Sequence, residues 1–168
     1  MNKLIKIYFF PVCLILILSF SRLIVHPWNF TPLLATGIFA GYYFRNFYLS
    51  IFIVIFSMFL GDVFLGFHNT MFFTYISLIL AVILGSYIKS LSFANVLWSG
   101  LGSSICFFVI TNFGVWHVTN IYEKTIQGLL MCYIAAIPFF ANTILSTFFY
   151  LLIIKFFEKS ILKKLKTA

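Results

Sequence analysis

The sequence predicts an all-α fold, an integral membrane bundle of six transmembrane helices with both termini on the cytoplasmic side. Three observations predict it. Hydrophobic residues make up 63% of the chain and charged residues only 8%, against about 25% charged in a soluble domain, and the mean hydropathy is +1.12. Apolar runs of membrane-crossing length recur between short polar breaks. Basic residues sit at the ends of those runs in a one-sided pattern. No composition shift marks a second domain, so residues 1–168 read as a single membrane domain.

A helix needs about 20 apolar residues to cross hydrocarbon. The first run, residues 4–25, begins near Lys3 and Lys6 like a signal peptide. No small-residue cleavage site follows it, and Arg22 and His26 come instead, so a retained span is expected. The second, residues 31–44, is short. It is preceded by His26-Pro27-Trp28-Asn29-Phe30-Thr31-Pro32, where polar groups and prolines interrupt hydrocarbon-like sequence. The third, fourth and fifth cover residues 47–67, 71–88 and 93–116. The sixth, residues 125–157, is long and must tilt, bend at Pro138 or protrude. The basic tail, residues 158–168, continues it and places lysines where anionic headgroups would hold them, or a cytoplasmic partner would dock.

Charge counting decides whether the short second run crosses. With six spans and the N-terminus inside, the inner side holds Lys3, Lys6, Arg45, Lys89, Lys155, Lys159, Lys163, Lys164 and Lys166, and the outer side only Arg22 and Lys124. If the second run did not cross, the inside would keep three basic residues and the outside would take eight. The six-span reading follows, in a bacterial inner membrane.

On that reading the polar residues gather outside. His26, His68 and His117, the acids Asp62 and Glu123, and Trp28 and Trp116 all fall in or beside the outer connections. This one-sided cluster suggests a pocket open to the outside. Asp62 is the sharpest residue, since a carboxylate at mid-bilayer costs about 2.5–3.5 kcal/mol. Three roles stay open for it: an ion pair with Arg22, contact with a ligand, or proton transfer. Asn112 and Trp116 share a helix face four residues apart, and either bond between helices or line the pocket. Tyr133, Pro138 and Asn142 are the corresponding features of the sixth span, where Pro138 frees the carbonyl of Ile134. Gly37 and Gly41, and Gly100 and Ser104, are small-residue steps that permit close helix packing.

Several chemistries are disfavoured. No catalytic or nucleotide-binding motif is present, so no enzyme activity is expected and the chain does not power transport with ATP. The net charge of +8 encodes orientation rather than nucleic-acid binding. Cys13, Cys106 and Cys132 lie in apolar runs and read as small buried hydrophobes. The histidines lack metal-ligand spacing, so neither metal nor cofactor is expected.

The motifs together carry a resemblance. The His26–Pro32 heptad, Gly61-Asp62 with Leu65-Gly66-Phe67-His68, Thr111-Asn112-Phe113 with Trp116, Tyr122-x-Lys124-Thr125-x-x-Gly128-Leu129, and Ala136-Ile137-Pro138-Phe139-Phe140-x-Asn142-Thr143 resemble, in order and spacing, a bacterial family of small integral membrane proteins of unknown function. In size, helix number and outward polar cluster the chain is also similar to the substrate-binding (S) components of energy-coupling factor transporters. That similarity implies a small, vitamin-like ligand taken from outside, a transmembrane coupling subunit and two ATPases as partners. Many S components carry an Ala-x-x-x-Ala step on the first helix for coupling, and this first helix has none. The expectation is a small-molecule-binding subunit in which Asn29, Thr31, Asp62, His68, Asn112, Trp116 and Asn142 line the pocket. The alternative is a non-transporting scaffold similar to small six-span cell-shape proteins, and a histidine-based intramembrane enzyme is the remote third.

Overall fold

The computed structural model describes the backbone of residues 3–167 and the side chains of residue 9 and residues 11–158. Six α-helices follow one another, with no strand among the described residues. They are α1 (Lys3–Phe20), α2 (Leu33–Phe44), α3 (Phe47–Leu65), α4 (Met71–Tyr87), α5 (Phe93–Val118) and α6 (Ile126–Thr167), with a 3-10 turn at Ser21–Leu23 after α1. Three helical stretches are long and apolar enough to cross a membrane: Phe47–Leu65, Phe93–Val118 and Ile126–Glu158. The side chains of Lys3, Lys6, Lys159, Lys163, Lys164 and Lys166, on which most of the charge count rests, lie outside the described residues.

The run expected over residues 4–25 stops being α-helical at Phe20. Ser21 Oγ donates to the carbonyl of Leu18 at 2.6 Å, the chain tightens to a 3-10 turn, and Ile24 is extended with ψ 142°. Pro27 disfavours helix at the residue before it, so the chain does not resume one there. At the other end of the chain, α6 passes Pro138 without ending. Its 42 residues are about 63 Å long at 1.5 Å per residue.

The second helix holds the bundle together. Every residue of α2 is buried except Tyr42 and Tyr43, and α2 contacts each of the other five helices. Its tightest neighbour is α4. A Cβ on Gly41 would collide with the backbone of Val82, and one on Gly85 with the backbone of Ile38, so two glycines facing opposite ways bring the two backbones together. The small-residue step at Gly37 and Gly41 therefore packs within the molecule, Gly37 facing Ala81. Gly100 and Ser104 serve the α5–α6 contact, Gly100 against Phe148 and Ser104 Oγ donating to Thr147 Oγ1 at 3.4 Å.

α2 has only 12 residues, about 18 Å, against a hydrocarbon thickness of about 30 Å. The chain before α2 is non-helical and packs on α6. Asn142 Nδ2 donates to the carbonyl of Trp28 at 3.0 Å, and Ser146 Oγ to that of Asn29 at 3.4 Å. The Phe30 ring packs on Phe149 and Tyr150, at 5.8 and 6.1 Å between centroids. The heptad thus descends alongside α6, and α2 begins deep in the bundle. Backbone carbonyls outside a helix need partners when they are buried, and Asn142 and Ser146 supply them here. Far along α6, Tyr42 OH donates to Glu158 Oε1 at 2.6 Å and ties the end of α2 to it. Arg45, the left-handed residue ending α2 (φ 55°), donates to the carbonyl of Ser86 near the end of α4.

Candidate ligand-binding cavity

The space left by the short α2 is a cavity of about 600 Å³, within the range of small-molecule sites. Trp28, Asn29 and Thr31 of the descending segment form one wall and Leu33 and Leu34 open α2 beneath it. Arg22 and Met58 lie to one side, with His68, Thr70 and Thr74 leading into α4. Phe107, Thr111, Asn112 and Val115 of α5 face Cys132, Ala136, Phe139, Thr143 and Thr147 of α6, and Ile121 and Tyr122 come from the loop between them.

Of the expected pocket residues, Asn29, Thr31, His68 and Asn112 line this cavity and Asp62, Trp116 and Asn142 do not. Each exception has a local reason. Asp62 is 1% exposed, with Oδ1 at 3.2 Å from Arg22 Nη2 and Oδ2 accepting from Tyr75 OH at 2.8 Å. Both carboxylate oxygens are taken, so of the three roles open to Asp62 the geometry forms the ion pair. Gly61 makes that pair reachable, since a Cβ there would sit 3.1 Å from Arg22 Nη1.

Trp116 points at the loop instead. Its Nε1 donates to the carbonyl of Glu123 at 2.9 Å, and Lys124 Nζ lies 5.6 Å from the ring centroid. Lys124 also donates to the carbonyls of Trp116, His117 and Thr119, which lie at the end of α5 and would otherwise lack partners. This folds residues 119–125 back so that Ile121 and Tyr122 reach the cavity. Asn142 holds the carbonyl of Trp28 and so acts on the cavity through its wall. Tyr133, read beside it, bonds between helices, its OH donating to the carbonyl of Val109 at 2.7 Å.

The histidines do not converge. His68 Nδ1 lies 2.9 Å from Thr70 Oγ1, and His117 stacks on Phe113 at 5.7 Å. His26 Nε2 is buried with no hydrogen-bond partner. Among the described residues no three His, Cys, Asp or Glu side chains gather as a metal site.

Sequence reasoning missed Arg22 as a wall residue, having seen it only as the partner of Asp62. It also passed over Thr143 and Thr147, whose spacing of four was a usable sign of one polar face on an otherwise apolar helix.

These features define the class: an all-helical membrane protein, by the length and composition of its helices, built round a short central helix with a cavity of mixed apolar and polar walls at its start. The chain belongs to the family of unknown function DUF6580, whose model matches residues 2–166. No curated protein and no solved structure matches it.

Proposed function

We propose that the protein is the small-molecule-binding subunit of a membrane transporter, a six-span bundle of the bacterial inner membrane with both termini cytoplasmic and the cavity open outward. The observation that carries the reading is the cavity itself. Its walls mix aromatic and aliphatic side chains with amides and hydroxyls, as small-molecule sites do. On this reading it lies where the second crossing changes from non-helical chain, turned at Trp28 and Asn29, to helix, an arrangement that transporters use for binding. The distribution of basic residues along the chain supports the orientation. The chain carries no nucleotide-binding motif, so energy would come from a coupling subunit and ATPases.

Mass spectrometry of small molecules released from the purified protein tests this. One enriched species is expected from the wild type and none from Thr111→Trp, whose indole would occupy the cavity. If the wild type and this filled variant release the same molecules, the binding role is lost and the scaffold reading takes its place.

A further inference from the structure

We infer that the cavity takes its ligand by a carboxylate, seated between the Arg22 guanidinium and the N-terminus of α2. The inference rests on the binding role proposed above and adds the charge and orientation of the ligand.

Arg22 is the charged side chain on the cavity wall, and no Asp or Glu lines it. Its partner Asp62 stands behind it, almost wholly buried and with both oxygens engaged. A guanidinium has five N–H donors. Asp62 accepts one, at 3.2 Å, and the thioether of Met58, a weak acceptor, faces Nη1 at 2.7 Å. Donors remain for a ligand. The absence of a side chain at Gly61 lets the guanidinium lie close to α3.

The start of α2 adds to the same field. The first-turn amides of a helix have no partner within it and carry partial positive charge. Pro32 at the N-cap offers no side-chain acceptor, and Leu33 and Leu34 of that first turn line the cavity. A half-length helix whose N-terminus meets a cavity inside a bundle suits an anionic group.

Four polar residues on the α5 and α6 side of the wall are of the opposite kind. Thr111, Thr143 and Thr147 donate their hydroxyls to carbonyls of their own helices, and Asn112 Nδ2 donates to the carbonyl of Phe108. Thr147 Oγ1 already accepts from Ser104 Oγ, and the oxygens of Thr111, Thr143 and Asn112 are left as acceptors, suited to N–H or O–H groups at the other end of a ligand. A cationic ligand would meet a guanidinium with no free carboxylate to answer it. Asp62 already balances the charge of Arg22, so the pair offers a ligand unused N–H donors rather than a net positive charge, which suits a singly charged carboxylate better than a doubly charged phosphate.

The test reads the cavity's charge preference directly. Thr111→Cys is introduced into the full chain with Cys13, Cys106 and Cys132 replaced by alanine, and the protein is placed in phosphatidylcholine nanodiscs. The new thiol is reacted with sulfonatoethyl and with trimethylammonioethyl methanethiosulfonate, each rate normalised to that of 2-mercaptoethanol. The anionic reagent is expected to be favoured about fivefold or more. The preference should persist with Arg22→Lys and vanish with the double variant Arg22→Gln/Asp62→Asn, which leaves no lone buried charge. Equal rates, faster reaction of the cationic reagent, or a preference unchanged in the double variant overturns the inference while leaving an open cavity. Failure of both reagents to react removes the open cavity and overturns both readings.

Discussion

Asn142 holds Trp28. The side-chain Nδ2 donates to the backbone carbonyl at 3.0 Å, sixteen residues into α6 and so about 24 Å along it. This bond fixes how far the polar heptad descends, and hence where α2 begins and how deep the cavity reaches. Asn142→Ala should cost about 0.5–1.5 kcal/mol of stability. It should also speed amide hydrogen exchange in residues 24–31. Exchange unchanged there would mean that Phe30 and Ser146 suffice to hold the segment.

The Arg22–Asp62 pair should behave as a unit. Removing Arg22 strands the buried Asp62 carboxylate, at about 3–5 kcal/mol, and removing Asp62 leaves Arg22 unpaired at the cavity wall, while removing both is much less harmful. Arg22→Met and Asp62→Leu should each lower the unfolding temperature of the purified protein sharply, and the double variant should recover most of the loss. Additive losses would show that the two side chains act independently.

Glycine positions separate packing from open space. Gly41→Ala places a methyl group against the backbone of Val82, whereas the nearest neighbour of a Cβ at Gly102 is the Leu84 side chain at 3.5 Å, an ordinary contact. Gly41→Ala should fail to give a monodisperse peak in size-exclusion chromatography, and Gly102→Ala should match wild type. Equal profiles would contradict the close α2–α4 approach.

Lys124 closes the end of α5. Lys124→Met should free residues 119–125, seen as faster hydrogen exchange, with only a small fall in unfolding temperature because the residue is exposed. Any molecule retained by the wild type should be held more weakly, since Ile121 and Tyr122 would leave the wall. Exchange confined to wild-type rates would place the closure of this loop elsewhere.

The proposed orientation gives a pattern of accessibility. In intact cells a membrane-impermeant maleimide should label Asn69→Cys and Ile121→Cys and spare Ser90→Cys until the membrane is opened. The reverse pattern would invert the bundle and turn the cavity inward.

Much of the helix framework was legible in sequence because its signals are local. α3 and α5 start where Asn46 Oδ1 and Ser92 Oγ accept amide hydrogen bonds from Leu49 and Asn95, and α3 stops at Gly66. The pairing of Arg22 with Asp62 was legible as well, since a lone buried carboxylate needs a partner. The pocket was read only in part. Asn29, Thr31, His68 and Asn112 line it, but Trp116 and Asn142 bond to backbone instead. A polar residue in an apolar run signals that something must satisfy it, without saying whether a ligand or a carbonyl does so.

The sequence by itself determined the helical class, the order of the helices and the oddity of the heptad, because apolar run length and proline act on the chain locally. Tertiary structure decided that α2 is the central helix. An all-round apolar helix reads the same whether lipid or protein surrounds it, and only the glycine-mediated approach to α4 shows which. It also decided that Arg22 faces the cavity with Asp62 behind it, because the side taken by each member of an ion pair depends on how α1 and α3 pack.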